Sequence, residues 1–167
     1  FFKQKTAYEI YQCDWSSDVC SSDLLDRHAT SKLPDDDLMN ISSLGFRGEA
    51  LPSIASVSRM TIASHAANST EAWMISVEGG KKGEPVPAAR PQGTTVDVRD
   101  LFYATPARLK FLKSDKAEYL AVREAMTRLA MAFPKVAFTL THNGAAGLNL
   151  PAVSAPADRL EIGRAHV

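Results

Sequence analysis

The residues Gly45, Phe46, Arg47 and Gly48 could bind a phosphate group, because an apolar helical pattern follows them directly. Leu51, Ile54, Ala55 and Ser58 recur at helical offsets. Pro52 is tolerated only in the first turn, so we predict that the helix begins near Gly48. The N–H groups of residues 46–49 and the Arg47 guanidinium would then form a positive helix end suited to phosphate. On spacing alone, an ordinary turn is the more frequent explanation.

A second polar run, Thr30, Ser31 and Lys32, lies upstream and has similar chemistry. The two hydroxyls can donate hydrogen bonds to phosphate oxygens, and the lysine supplies a point charge. By itself this run is equally suited to a solvated loop. The three aspartates at positions 35–37 fit the start of a short helix better than a metal site, because consecutive helical residues point in different directions.

Residues 45–51 carry the unaltered signature heptapeptide Gly-Phe-Arg-Gly-Glu-Ala-Leu of the MutL family of DNA mismatch repair proteins. The chain resembles this family over roughly residues 25–160. A second segment of resemblance is the Gly-Thr at Gly93 and Thr94, followed after a strand by Asp-Leu-Phe-Tyr-Ala-Thr-Pro-Ala-Arg at residues 100–108. Ala104 departs from the commoner asparagine, which removes one side-chain hydrogen bond from this loop.

The resemblance implies a nucleotide site of the kind shared by the ATPase chain of DNA gyrase, Hsp90 and histidine kinases, with ATP and Mg²⁺ as cofactors. Thr30, Ser31 and Lys32 would face the phosphates. The backbone of Gly45, Phe46, Arg47 and Gly48 would wrap them, and Thr94 or Thr95 would lie near the adenine. These assignments come from the resemblance and are expectations for this chain.

The family's hydrolytic residues have no counterpart in this sequence. A Glu-x-x-x-Asn helix supplies the general base and the magnesium ligand in the family, and an Asp-Asn-Gly turn recognises adenine. Since a base must reach the attacking water, we assign no catalytic residue and no metal ligand here. We expect the polypeptide as written to bind ATP weakly or not at all and not to hydrolyse it, so its own standing as an enzyme is open.

The resemblance also implies the partners of the complete protein. These are a second copy in a homodimer, a MutS-type mismatch sensor, an endonuclease or its own C-terminal nuclease domain, and DNA, with no membrane. A cytoplasmic, nucleoid-associated bacterial protein would fit this role. Two alternatives stay open: a non-catalytic dimerisation or DNA-contacting module, and another ATPase of the same GHKL superfamily.

The elements that position these residues can be predicted from periodicity. Alternating apolar and polar residues predict strands over 59–64, 72–77 and 93–98, the first two as antiparallel neighbours. Thr105 and Pro106 indicate the start of one helix, and Ser114 the start of a longer helix that ends at Phe133. Its predicted core stripe is Tyr119, Val122, Met126, Leu129, Ala130 and Phe133. Asn143-Gly144 predicts a hairpin turn.

We therefore predict an α+β fold in two parts. Residues 25–135 would be the C-terminal part of a GHKL ATPase α/β sandwich, with a mixed, largely antiparallel sheet backed by helices. Residues 136–160 would supply the first strands of a ribosomal-protein-like transducer domain. Residues 1–24 and 161–167 resemble translated sequencing adapter, and we exclude them from the fold.

Composition excludes several other classes of protein. The 19 basic and 19 acidic residues balance, so bulk charge does not indicate nucleic-acid binding. Both cysteines, Cys13 and Cys20, fall in the adapter-like segment, so a disulfide or metal role for them is set aside. The sequence also lacks the Gly-x4-Gly-Lys-[Ser/Thr] pattern of P-loop ATPases.

Overall fold

The computed structural model of the chain describes residues 25, 48–67, 69–155 and 157–159. The described residues form two compact units, divided between Lys110 and Phe111. This division does not test the domain boundary expected after residue 135, which stays a prediction.

The first unit is a five-stranded antiparallel sheet with a short helix on one face. Its elements are α1 (Ala50–Ala55), β1 (Arg59–His65), β2 (Ala72–Glu78), β3 (Lys81–Lys82), β4 (Val86–Ala88), β5 (Gly93–Arg99) and α2 (Pro106–Leu109). The sheet order is β3-β2-β1-β5, and β4 also pairs with β2. The prediction that the first two strands are antiparallel neighbours is confirmed.

One face of this sheet is buried and the other is polar. Successive side chains on a strand point to opposite faces, so Met60 and Ile62 share the buried face of β1. They pack with Leu25, Ala55, Ile75 and Val77, and partly buried Leu51 and Val96 border this core. Burying a side chain such as Met60, which is 1% exposed, stabilises the fold by roughly 1.5–3 kcal/mol.

Helix α1 begins at Ala50, two residues after the predicted start, and Pro52 lies in its first turn. Leu51 and Ala55 contact the core as predicted. Ile54 is 37% exposed, because it lies on the flank of the helix and only the Leu51–Ala55 side rests on the sheet. The predicted apolar face is therefore narrower than the sequence pattern indicated.

The second unit packs a long helix against a β-hairpin. Helix α3 (Asp115–Ala132) precedes β6 (Phe138–His142) and β7 (Ala145–Leu150). Asn143 and Gly144 have φ angles of 49° and 80°, which confirms the predicted turn. The core comprises Ala130, Phe138, Leu140, Leu148 and Leu150, bordered by Tyr119, Val122 and Met126.

Two details of the helices differ from the sequence prediction. Leu129 and Phe133 belong to the predicted stripe but are 37% and 40% exposed. Thr105 and Ser114 stand at the N-cap positions of α2 and α3, yet neither side chain makes a capping hydrogen bond. At α3 the Lys113 N–H instead donates to the Glu118 carboxylate at 2.9 Å.

These elements confirm the α+β class. Within the described ranges, no helix combines the length and apolar character needed to cross a membrane.

Candidate functional site

Six of the nine predicted site residues lie outside the described residues, namely Thr30, Ser31, Lys32, Gly45, Phe46 and Arg47. The structure describes the other three: Gly48 before α1, and Thr94 and Thr95 on β5.

Gly48 lies where the chain turns into helix α1. Its φ of 60° is in the left-handed region, which a side chain would disfavour. The first hydrogen bond of the helical turn runs from the Ser53 N–H to the Glu49 carbonyl at 3.0 Å. The Glu49 side chain does not cap the helix. The chain therefore enters the helix through a backbone conformation that favours glycine.

Thr94 and Thr95 lie on opposite faces of β5. Thr94 is on the same face as Val96, which borders the core beneath α1. Its hydroxyl lies 2.9 Å from the hydroxyl of Ser64, the residue directly opposite on β1. Thr95 pairs with Ala63 and belongs to the polar face. Of the two threonines, only Thr94 therefore presents its hydroxyl on the helix-covered side.

The Ser64–Thr94 pair has hydrogen-bonding capacity beyond its mutual bond. Two hydroxyls carry two hydrogens, and their mutual bond uses one of them. Ser64 is only 6% exposed, whereas Thr94 is half-buried. The remaining hydrogen and lone pairs can therefore be presented to a polar ligand through Thr94. Ser64 was missed at the sequence level, since its partner is 30 residues away.

His65 and Arg90 adjoin this pair. The Nδ1 atom of His65 lies 3.0 Å from the Arg90 carbonyl oxygen, and its Nε2 lies 3.0 Å from the Ser69 carbonyl oxygen. The Arg90 guanidinium donates through Nη1 to the Ala63 carbonyl. No sequence pattern indicated these contacts, because they join a strand end to a distant loop.

A separate network lies at the opposite end of β1. Arg59 donates to Glu78 at 2.8 Å and to Asp100 at 2.5 Å, and its guanidinium lies 4.4 Å from the centroid of the Tyr103 ring. The hydrogen bond to Glu78 raises the pKa of Arg59 above its usual value, and the hydrogen bond to Asp100 adds to this effect. Asp100 and Phe102 have φ angles of 51° and 68°.

This second network holds the loop that follows β5. Left-handed backbone is unfavourable for residues with side chains, so the loop requires contacts that fix it. The Phe102 N–H donates to the Val57 carbonyl at 2.7 Å. A β-carbon at Gly79 would lie 2.8 Å from the Tyr103 hydroxyl, so glycine permits the close approach of this ring. An adjoining groove of about 720 Å³, lined by Arg59, Lys81, Lys82 and Tyr103 among others, opens on the polar face and is distinct from the Thr94 site.

Among the described positions there is no cluster of three His, Cys, Asp or Glu side chains that could hold a metal ion. The described part of the site has a hydroxyl pair on the helix-covered face of the sheet, and a helix start at which the backbone favours glycine. Both features suit hydrogen bonding to a polar or anionic ligand.

The sequence was compared with known protein families and with individual proteins. No family model matches the chain. The chain is 59% identical over 128 residues to the DNA mismatch repair protein MutL of Paramagnetospirillum magneticum. This alignment covers 77% of this chain and 21% of that protein. It is 63% identical over 117 residues to MutL of Rhodospirillum rubrum, covering 70% of this chain and 19% of that protein.

The fold gives the same relationship. The structure of the Aquifex aeolicus MutL ATPase domain complexed with ADP matches with a TM-score of 0.65 and 38% identity, over 68% of this chain and 47% of that one. The chain spans about a fifth of the length of the curated relatives it matches. Over the segment that these bacterial relatives share with it, the chain belongs to the MutL family of DNA mismatch repair proteins and has the fold of part of a MutL ATPase domain.

Proposed function

We propose that the complete protein is a MutL that binds and hydrolyses ATP and couples mismatch recognition to strand incision. The observation that supports this most directly is the match to the Aquifex aeolicus MutL ATPase domain complexed with ADP. The first unit would contribute one wall of the nucleotide site, through the entry to α1 and the face of β5.

Within that site, we assign the adenine-side contact to Thr94 rather than to Thr95. Thr94 lies on the helix-covered face, and its bond to Ser64 leaves one hydroxyl hydrogen of the pair available. Thr95 lies on the polar face, where α1 does not pack. A nucleotide held between the helices and the sheet would therefore meet the Thr94 hydroxyl.

The phosphate end is assigned to the glycine-rich segment and the upstream polar run. Gly48 would let the backbone approach the phosphates closely, together with Gly45, Phe46 and Arg47. Thr30, Ser31 and Lys32 would donate hydrogen bonds and a positive charge to the same oxygens. These residues would bind and orient the triphosphate.

The described residues do not provide a magnesium site. The described part of the chain has no triad of potential ligands, and the sequence lacks the family's Glu-x-x-x-Asn segment. We therefore derive no step of hydrolysis through Mg²⁺, and assign the ion and the general base to other residues of the complete protein. We assign to this segment the binding and orientation of the nucleotide.

The complete protein would act as a homodimer on DNA with a MutS-type mismatch sensor. It would direct either a separate endonuclease or its own C-terminal nuclease domain. A cytoplasmic, nucleoid-associated location would follow from that role. The bacterial relatives named DNA mismatch repair protein MutL support the role in DNA mismatch repair on which these assignments depend.

A chimera tests the proposal. The segment of Rhodospirillum rubrum MutL that aligns with this chain is replaced by this chain's residues, and the chimera is expressed in a MutL-deficient strain of that organism. We expect it to lower the spontaneous mutation frequency to near the wild-type level. Thr94→Val in the chimera should raise the frequency, whereas Thr61→Val on the polar face should not. A stably expressed chimera that leaves the frequency at the deficient level would contradict the proposal.

A further inference from the structure

Two side chains tie the end of β1 to the entry of β5 in a reciprocal manner. The His65 ring contacts the backbone carbonyl of Arg90 at 3.0 Å. In the opposite direction, the Arg90 guanidinium donates a hydrogen bond to the backbone carbonyl of Ala63. Each residue therefore holds the backbone of the other's segment. We name these two residues the His65–Arg90 clamp.

The two halves of the clamp differ in their chemistry. The two ring nitrogens of His65 face the carbonyls of Arg90 and Ser69, and a ring nitrogen donates only where it carries a hydrogen. Arginine stays protonated in proteins, so the bond from Arg90 to Ala63 is a permanent charge-assisted one. Arg90 also donates through Nε to the Pro91 carbonyl at 3.2 Å, which orders its own loop. The arginine half is therefore the better one to test.

The clamp lies immediately beside the Ser64–Thr94 pair. In the β1–β5 register, His65 is opposite Gly93 and Ser64 is opposite Thr94. Strand β4 ends at Ala88 and β5 begins at Gly93, so the clamp acts on the connection that leads into β5. Gly93 has a φ of 122°, and because glycine adopts many backbone conformations, this residue alone does not fix the path of the connection.

We propose that His65 and Arg90 are positioning residues that set the entry of β5 and thereby the direction of the Thr94 hydroxyl toward a bound nucleotide. This inference rests on the proposed function, because it assumes that Thr94 contacts the nucleotide. The clamp would act through the backbone of residues 90–94, without touching the ligand itself. Loosening it should affect the adenine-side contact and leave the Gly48 end unaltered.

The test is an ADP titration, followed by NMR, of the isotope-labelled Rhodospirillum rubrum MutL chimera that carries this segment. In the chimera without further substitution, which serves as the wild type, we expect ADP to shift the resonances of Gly48 and Thr94. Arg90→Met removes the donor while keeping an unbranched apolar side chain, and Arg90→Lys restores a donor. Arg99→Met is the matched control, since Arg99 lies at the far end of β5 and bonds to Asp97 at 2.7 Å.

For Arg90→Met we expect ADP to bind about 3- to 10-fold more weakly, the range expected for loss of one hydrogen bond to the ligand. At saturating ADP, the Thr94 shift should shrink while the Gly48 shift persists. Arg90→Lys should recover at least part of the Thr94 shift, and Arg99→Met should match the wild type. A general loss of stability would not produce this difference between the two ends of the site.

Three results would overturn the inference. The first is a folded Arg90→Met chain that keeps the wild-type ADP affinity and Thr94 shift. If that variant does not fold, equal Thr94 shifts in Arg90→Gln and Arg90→Lys would have the same meaning, because glutamine is shorter than arginine and carries no charge. The third is an unsubstituted chimera without ADP shifts, which would contradict the proposed site as well as the clamp.

Discussion

The Ser64–Thr94 hydroxyl pair yields a quantitative prediction about stability. Thr94→Val replaces a hydroxyl by a methyl group of similar size and leaves the Ser64 hydroxyl, in a residue that is only 6% exposed, without its partner. A buried hydroxyl without a hydrogen bond costs about 1–3 kcal/mol. We therefore expect Thr94→Val to lower the free energy of unfolding by about 1–3 kcal/mol.

The reverse substitution should cost less. Ser64→Ala leaves the Thr94 hydroxyl in a half-buried position, where water can reach it, so we expect a loss of about 0.5–1.5 kcal/mol. Removing both hydroxyls leaves neither group unsatisfied. The double variant should therefore be more stable than the two single losses predict, with a coupling energy of about 1 kcal/mol.

The wild type, the two single variants and the double variant form a double-mutant cycle. Urea denaturation followed by circular dichroism measures the free energy of unfolding of each. Thr61→Val is the matched control, because Thr61 and Ser76 form a similar cross-strand pair at 3.4 Å on the polar face. Water can replace that weaker contact, so the control should lose no more than about 0.5 kcal/mol. Additive losses in the cycle, or equal losses for Thr94→Val and Thr61→Val, would show that the Ser64–Thr94 bond does not contribute as described.

Three further predictions follow. Gly147→Ala should destabilise the chain by about 1–3 kcal/mol, because the new β-carbon would lie 2.3 Å from the Tyr119 hydroxyl. Adding Tyr119→Phe should restore much of this loss, as measured by thermal melting. The hydrogen bond from Arg99 lowers the pKa of Asp97 below 3.8, so the stability that this bond contributes is present above that pH and is lost as pH falls through the lowered value. Arg99→Gln should therefore reduce the urea midpoint at ~pH 6 but not at ~pH 2, and an equal reduction at both would contradict this sign. Finally, the purified chain should release phosphate from ATP no faster than a variant with Gly48 deleted, and faster release would show that a hydrolytic residue has been missed.

Local sequence patterns predicted the elements of the fold well. Alternation over 59–64, 72–77 and 93–98 corresponds to β1, β2 and β5 within one residue at each end. The Asn143-Gly144 turn follows from the left-handed backbone that asparagine and glycine tolerate. These signals depend on neighbouring residues, so they can be read without knowledge of tertiary contacts.

The long-range contacts could not be predicted in this way. Pairing of Ser64 with Thr94 depends on the register between β1 and β5, which an intervening stretch of nearly thirty residues does not specify. The Arg59 network likewise requires a loop 41 residues away. Periodicity also overestimated burial at Ile54 and Phe133, because it defines an apolar face but does not give the width of the surface that covers it.

The N-cap positions of α2 and α3 were predicted correctly, but the capping hydrogen bonds expected there do not form. Thr105 is a favourable N-cap residue by type, but its ψ of 72° lies outside the extended region that capping residues usually adopt. Its hydroxyl is buried and has no hydrogen-bond partner. The preceding left-handed residues, Asp100 and Phe102, constrain the path of this loop, and residue type alone does not reveal that constraint.

The functional proposal depends above all on the Thr94 face of β5 forming part of a nucleotide site. Calorimetry can test this through the ADP dissociation constant of the Rhodospirillum rubrum MutL chimera carrying this segment. Loss of one hydroxyl contact predicts that Thr94→Val weakens ADP binding by about 3- to 10-fold, while Thr61→Val leaves it unchanged. Equal dissociation constants for the chimera and its Thr94→Val variant would contradict a nucleotide contact at Thr94.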